Sequence, residues 1–131
     1  MSQASVTLTW PISQWPNPNR DRRLHWAVNA KRAKAIRASA KIAALQAMFT
    51  TAPLRSPVEV ELMWAFPDRR PRDLENWSSK ALLDGITDAG LIADDSSAHI
   101  ARTVRIQDPE RSPRGHLRVT VTITEIGQTN E

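Results

Sequence analysis

The chain has 131 residues, of which 40% are hydrophobic and 24% are charged, and it contains no cysteine. The length indicates one domain, and the lack of cysteine excludes both a disulfide framework and a thiolate metal site. No apolar run reaches the roughly 18 residues of a membrane span, and the N-terminus lacks the basic and apolar regions of a secretory signal. We therefore expect a cytoplasmic protein with no membrane partner.

The charges are segregated along the chain, although the formal net charge is only +4. Residues 1–55 hold nine lysines and arginines and one acid, whereas residues 73–95 hold six acids and one lysine. Such segregation favours a polyanion bound by one part of the chain and a cation held by another. The alternative is that the two oppositely charged parts pair with each other across the fold.

The first half of the chain predicts one strand and one long helix. Over residues 4–10, apolar residues alternate with threonines, as in a half-buried strand. A loop rich in proline and asparagine follows, and an alanine-rich helix is expected over about Trp26–Phe49. One face of this helix carries small residues, which would permit close approach to a sheet or a second helix.

The second half predicts three strands and one helix. Residues 58–66 alternate clearly, residues 98–107 weakly and residues 117–124 clearly. Between the first two of these strands, a helix over about Asn76–Ala89 ends at Gly90. The element order indicates an α+β fold, a mixed sheet of about four strands with two helices packed on one face.

Two pairs of acids frame the second helix. Asp73 and Glu75 precede it, and Asp94 and Asp95 follow its glycine stop. In an extended segment alternate residues point the same way, so the first two carboxylates could reach one point. The loop after the helix would have to fold back for the pairs to meet, because a helix of four turns spans ~20 Å. Converging carboxylates would suit Mg²⁺ or Mn²⁺, although each pattern alone is also common in ordinary turns.

Lys80 stands on the second helix between the two acidic pairs. Its ammonium group could stabilise charge building on a phosphate or lower the pKa of an attacking water. The alternative is a surface ion pair with Asp84, four residues on, worth a few tenths of a kcal/mol.

Cationic side chains flank this region and could hold a DNA backbone, since arginine and lysine bind phosphate without reading sequence. For each one the alternative is a solvated surface charge. The candidates are Arg20, Arg22, Arg23, Arg69, Arg70, Arg72, Lys34, Arg37 and Lys41.

Tryptophans are expected mostly in the core. Trp10, Trp26 and Trp64 are assigned there, whereas Trp15, in a proline-rich loop, is the candidate for exposure. Trp77 is expected to pack near the start of the second helix and to steady the acid-bearing loop.

Several motifs, in the same order along nearly the whole chain, resemble the RusA endonucleases, a family of Holliday junction resolvases common in bacteria and their phages. The segment RLHWAVNAKR resembles the form seen in phage members. The main matching stretches are PDRRPRDLEN (Pro67–Asn76), KALLD (Lys80–Asp84) and DAGLIADDS (Asp88–Ser96), with the strands VTLTWP and LRVTVTITE near the two ends.

The resemblance implies one endonuclease domain over residues 1–131, with residues 126–131 expected as a disordered tail. It implies a homodimer that makes paired symmetric nicks in four-way DNA during recombination and repair. The reaction is expected to use Mg²⁺ and no organic cofactor. The protein is expected to act in a bacterial cell, in some cases encoded by a phage or prophage. The alternatives are a related nuclease acting on other branched or flapped DNA, and a DNA-binding protein without catalysis.

Carried over by position, the resemblance implies that Asp73, Glu75 and Asp95 bind the metal, that Asp94 is a further ligand or partner, and that Lys80 is the catalytic lysine. Two departures stand out. Glu75 replaces the usual aspartate, and one extra residue precedes Lys80, which is matched by its K-A-x-x-D context. Leu83, expected off the apolar helix face, occupies the place of a junction-wedging phenylalanine; the alternative is a dimer contact.

Overall fold

The computed structural model describes residues 2–93 and 99–126. The predicted ligands Asp94 and Asp95, and residues 127–131 of the predicted tail, lie outside the described residues. The elements in chain order are β1 (Gln3–Pro11), α1 (Pro18–Asp21), α2 (Trp26–Ala47), β2 (Val58–Ala65), α3 (Lys80–Ala89), β3 (Ile100–Gln107) and β4 (His116–Glu125), with 3₁₀ turns at Ile12–Gln14 and Leu74–Asn76.

The four strands form one mixed sheet in the order β1-β4-β2-β3. β4 pairs antiparallel with both β1 and β2, while β2 and β3 are parallel. In one row of the sheet Val6 lies opposite Val121, which lies opposite Leu62, and all three are buried. On the other face of the β1–β4 pair, threonine and serine hydroxyls bond across exposed strands. The alternation in the sequence therefore separates a core face from a polar face, and the predicted α+β fold is confirmed.

The two long helices pack together over the core face. α2 buries Ile36, Ala40 and Ala44, spaced four residues apart, in the same apolar cluster as the strands. Gly85 of α3 lies against the backbone of α2, and a β-carbon there would be 2.7 Å from the Ala40 Cβ. The small-residue face of the long helix thus permits the close approach that its sequence indicates.

Local signals account for two of the four ends of α2 and α3. The ring Nδ1 of His25 accepts the amide hydrogen of Ala27 at 3.1 Å and caps the start of α2. Gly90 has a left-handed φ of 87° and closes α3, as predicted. The start of α3 differs from the prediction, because Leu74–Asn76 forms a separate 3₁₀ turn and Trp77 is extended. The helix therefore begins at Lys80, four residues later than expected.

Two of the tryptophan predictions are wrong. Trp26, expected in the core, is 75% exposed at the start of α2. Trp15, expected to be exposed, is fully buried; it donates from Nε1 to the Ser78 carbonyl at 2.8 Å and meets Trp64 edge-on at 5.5 Å. The indole nitrogen explains its burial, since it finds a backbone acceptor inside the fold.

Candidate active site

The first acidic pair lies on the 3₁₀ turn before α3. Asp73 is the residue preceding the turn, and its Oδ1 accepts the amide hydrogen of Glu75 at 3.2 Å. The premise of an extended segment is therefore wrong, because the chain turns directly after Asp73. Both residues are exposed, and among the described residues no hydrogen bond or ion pair engages the Glu75 carboxylate. Two solvent-facing carboxylates on one short turn remain open to a cation.

Aromatic packing holds this turn in place. Trp77 is 8% exposed and lies 5.2 Å from the Phe66 ring, which confirms its expected supporting position. The Arg72 guanidinium lies over the same Phe66 ring, 4.2 Å from its centroid. It also donates to Asp68 at 2.9 Å. These contacts fix the loop between β2 and α3, so the carboxylates project from a supported backbone.

A hollow of about 420 Å³, which we call the site hollow, lies beside the turn. Glu75, Lys80 and Arg105 bring one acid and two cations to it, and Trp77, Ser78, Ser79 and Leu83 complete its lining. Arg105 comes from β3 and lies 3.4 Å from the Ser79 hydroxyl. Sequence reasoning missed Arg105, because its position beside Lys80 depends on the parallel pairing of β3 with β2.

Lys80 forms the surface pair that was the alternative to a catalytic role. Its Nζ lies 3.5 Å from Asp84, and its side chain is 80% exposed. The Asp84 side chain is only 20% exposed, but the ammonium end is open to solvent and the distance is long, so the pair is weak. The ammonium group can therefore exchange this carboxylate for a phosphate oxygen at small cost, and the pair does not conflict with a role at the site.

Arg37 shows that the segregated charges do pair across the fold in one place. Its guanidinium donates to both carboxylate oxygens of Asp88, at 2.6 and 2.8 Å, and lies 3.9 Å from Asp84. Hydrogen bonding from Arg37 holds the pKa of Asp88 below its usual value. This pair ties α2 to α3, so the interpretation as paired charges holds for Arg37.

Arg20 is also engaged inside the protein. It donates to the carbonyls of Ile12 and Trp15, at 3.1 and 2.6 Å, and to Asp21 at 2.8 Å. Burial of Asp21 raises its pKa, but hydrogen bonds from Arg20 and from the Asn17 amide outweigh burial and leave the pKa lowered. Arg20 thus organises the proline-rich loop.

The other predicted DNA contacts differ in how far solvent reaches them. Arg72 keeps only 11% of its side chain exposed, and Arg70 approaches Asp68 at 3.7 Å with its side chain 75% exposed. The remaining predicted contacts are exposed: Arg22, Arg23, Lys34, Lys41 and Arg69.

Within residues 2–93 and 99–126, no group of three or more acids or histidines could hold a metal ion. Asp73 and Glu75 nevertheless supply hard oxygen donors, and Mg²⁺ is commonly bound by one or two carboxylates with water and substrate phosphate. The donor set therefore fits Mg²⁺.

None of the helices within residues 2–93 and 99–126 combines the length and the apolar character that a membrane span requires.

Leu83 is not where it was expected. It is 9% exposed and belongs to the core cluster, although its edge lines the site hollow. The expectation that Leu83 lies off the apolar face of α3 is wrong, because its side chain packs in the same apolar cluster as Leu82 and Ile86.

Comparison with known proteins gives a consistent result. The model of the family described as "Endodeoxyribonuclease RusA" matches residues 10–124. The chain is 33% identical over 129 residues to the crossover junction endodeoxyribonuclease RusA of Escherichia coli K12, covering 97% of this chain and 98% of that protein. The Shigella sonnei protein of the same name matches equally. The protein of that name from Enterobacteria phage 82 is 36% identical over 74 residues, 56% of this chain and 57% of its own length.

Proposed function

The chain belongs to the RusA family of endodeoxyribonucleases, and from this premise we propose that it resolves four-way DNA junctions by paired symmetric nicks that depend on Mg²⁺. The observation that supports a phosphodiester-cutting site is the site hollow, where Glu75, Lys80 and Arg105 come together next to Asp73. In such a hollow the two cations can bind the oxygens of a DNA phosphate, and the acid can bind a metal cation beside it.

Asp73 and Glu75, together with Asp95 and with Asp94 as a further ligand or partner, would hold Mg²⁺, with Mn²⁺ as a substitute. The bound ion would supply an activated water and neutralise charge on the scissile phosphate. The side chain of Glu75 is one methylene longer than aspartate and is unpaired among the described residues, so it can adjust its reach toward the ion.

Lys80 and Arg105 would stabilise the negative charge that develops on the phosphate during in-line attack. Lys80 can do so because its side chain is 80% exposed and its pair with Asp84 is long, at 3.5 Å. Lys80 reaches the site hollow from α3, whereas Arg105 reaches it from the edge strand β3. Placement on two elements lets these cations contact a phosphate from two sides.

The flanking cations would hold the arms of the junction through their phosphates. Arg20, Arg37 and Arg72 are engaged in hydrogen bonds within the fold, so we propose that they shape the binding surface. The exposed cations would contact the backbone directly: Arg22, Arg23, Arg69, Arg70, Lys34 and Lys41.

A homodimer is part of the proposal, because paired nicks on a two-fold symmetric junction require two sites related by the same symmetry. No organic cofactor is needed for hydrolysis of a phosphodiester. The reaction would take place in the cytoplasm of a bacterial cell, where recombining DNA is found.

The decisive experiment is a nicking assay on four-way, flapped and linear duplex DNA, each with and without Mg²⁺. The proposal expects symmetric nicks on the four-way substrate alone, and only with the ion. Equal cutting of flaps would favour the nuclease of other branched DNA. Tight junction binding without cutting would favour the non-catalytic DNA-binding protein.

Variants at the acids test the site itself. Asp73→Asn and Glu75→Gln are expected to abolish cutting while junction binding is kept or strengthened, since a negative charge near the phosphate is lost. Glu110→Gln is the matched control, because the Glu110 side chain is 83% exposed and is not among the residues that line the site hollow. Cutting at the wild-type rate by Asp73→Asn would contradict the site assignment.

A further inference from the structure

A second, larger hollow adjoins the site hollow and is not used by the proposed chemistry. It measures about 770 Å³ and lies between the first half of α2 and the start of α3, with Pro16 from the loop after β1 at one side. Clefts of several hundred cubic ångströms are typical of sites for small ligands or single groups of larger ones. Lys80 lines both hollows, so they share a wall.

The walls of this second hollow are mainly apolar. Pro16, Ala30, Ala33, Ile36 and Ala81 contribute apolar surface, and Asn29 and Ser78 add polar groups. No aromatic ring is among the described residues that line it. These side chains, which come mostly from two helices, line a space of about 770 Å³, which has room for a planar group. Such a surface would contact a nucleobase by dispersion and exclusion of water.

The rim of the second hollow is cationic. Lys34, Arg37 and Lys80 surround it, against one acid, Asp84. Asp84 already lies near two of these cations, at 3.9 Å from Arg37 and 3.5 Å from Lys80. Asp88 also binds the Arg37 guanidinium, at 2.6 and 2.8 Å, so the cations available to a ligand are Lys34 and Lys80. Two ammonium groups beside an apolar space complement a ligand that joins an apolar group to a phosphate, such as a nucleotide in a DNA strand.

We propose that the second hollow receives one unstacked base of the DNA strand next to the phosphate held at the site hollow. This inference rests on the proposed function, because it requires a DNA strand at Lys80. Extruding a base costs least where base pairing is already disturbed, as it is at a branch point. The hollow thereby gives the protein a reason to prefer branched over continuous duplex DNA, since an intact duplex offers no base to occupy it.

The test uses four-way junctions that carry 2-aminopurine, a base that brightens when unstacked, at one position at a time near the branch point. Fluorescence is read on the full-length protein in buffer with a metal chelator, and binding is verified by gel shift. Because aromatic rings are not found among the described lining residues, the bound base should stay bright. A several-fold rise at one position beside the nicked phosphate is expected.

Filling the hollow should remove this signal. Ala30→Leu, and as a second variant Ala33→Leu, place a larger side chain in the space from α2, with almost no change in helix propensity. Ala38→Leu is the matched control, because Ala38 is exposed on α2 and is not among the residues that line the hollow. We expect the rise to disappear in the first two variants and to persist in the control.

The outcomes separate the two proposals. A protein that binds and nicks the junction without any rise in fluorescence overturns the base-binding inference alone. A rise that persists in both filled variants also overturns it, since the unstacked base would then lie elsewhere. Failure of the wild-type protein to bind or nick four-way DNA overturns the proposed function and this inference with it.

Discussion

Replacing Gly85 with alanine tests the contact that joins the two helices. The added β-carbon would lie 2.7 Å from the Ala40 Cβ and 3.0 Å from the Lys41 nitrogen, and it would overlap the Arg37 carbonyl oxygen. These are backbone atoms or a β-carbon, so no side-chain rotation can relieve the overlap. α2 and α3 would have to move apart over the core face of the sheet.

Two opposing effects set the size of the change. Alanine favours a helix interior over glycine by about 1 kcal/mol, whereas overpacking a close contact costs typically 1–3 kcal/mol. Because the obstructing atoms are rigid, we expect a cost near the upper end and a net loss of about 2 kcal/mol in the free energy of unfolding. For a chain of this size that corresponds to a fall in Tm of roughly 6–10 °C.

The assay is urea unfolding followed by tryptophan fluorescence, with Tm by calorimetry. Gly90→Ala is the control, since its β-carbon would meet nothing within 4 Å and its cost comes only from the φ of 87°. We expect that control to lose about 1 kcal/mol. A Gly85→Ala protein as stable as the wild type would refute the reasoning.

Three further predictions concern stability and binding. Asp21→Asn should cost about 1–3 kcal/mol in urea unfolding at neutral pH. Since the pKa of Asp21 is lowered below 3.8 in the folded state, its contribution to the free energy of unfolding is present above pH 3.8 and is lost as pH falls through the folded pKa. A difference in stability between Asp21→Asn and the wild type that persists in strong acid would contradict this. Trp77→Ala should cost about 3–5 kcal/mol through lost packing on Phe66, whereas Trp77→Phe should cost much less; equal costs would argue against that contact. Lys34→Ala should reduce the salt dependence of junction affinity by about one unit of log–log slope, and an unchanged slope would exclude a phosphate contact at Lys34.

Several features of the site were predictable from local pattern. The sequence singled out Asp73 and Glu75 as acids that precede a helix and Lys80 as a residue on that helix. In the structure Asp73 and Glu75 lie at the 3₁₀ turn Leu74–Asn76, and Lys80 is the first residue of α3. Trp77 was expected to support the acidic turn and packs on Phe66. The exact form of the turn was not predictable, because Asp73 caps a 3₁₀ turn through a side-chain bond that competes with an extended chain.

The residues that bind the arginines and the buried tryptophan could not be predicted from the sequence. Arg20 and Arg37 were both grouped with phosphate-binding cations. Arg20 is instead held by Asp21 and by the carbonyls of Ile12 and Trp15, and Arg37 is held by Asp88, 51 residues away on α3. Trp15 and Trp26 were assigned the wrong way round. A buried indole in a proline-rich loop needs an acceptor such as the Ser78 carbonyl, 63 residues away, and nothing local reveals that acceptor.

By itself, the sequence determined the strands, the two long helices and their order, because alternation, helical spacing and the glycine stop at residue 90 act over a few residues. Tertiary structure decided which charges meet. The parallel pairing of β3 with β2 brings Arg105 to the hollow of Lys80, and the approach of α2 to α3 at Gly85 sets Arg37 against Asp88. Sheet register and helix contact depend on the free energy of the whole core, so no short segment of the chain contains that information.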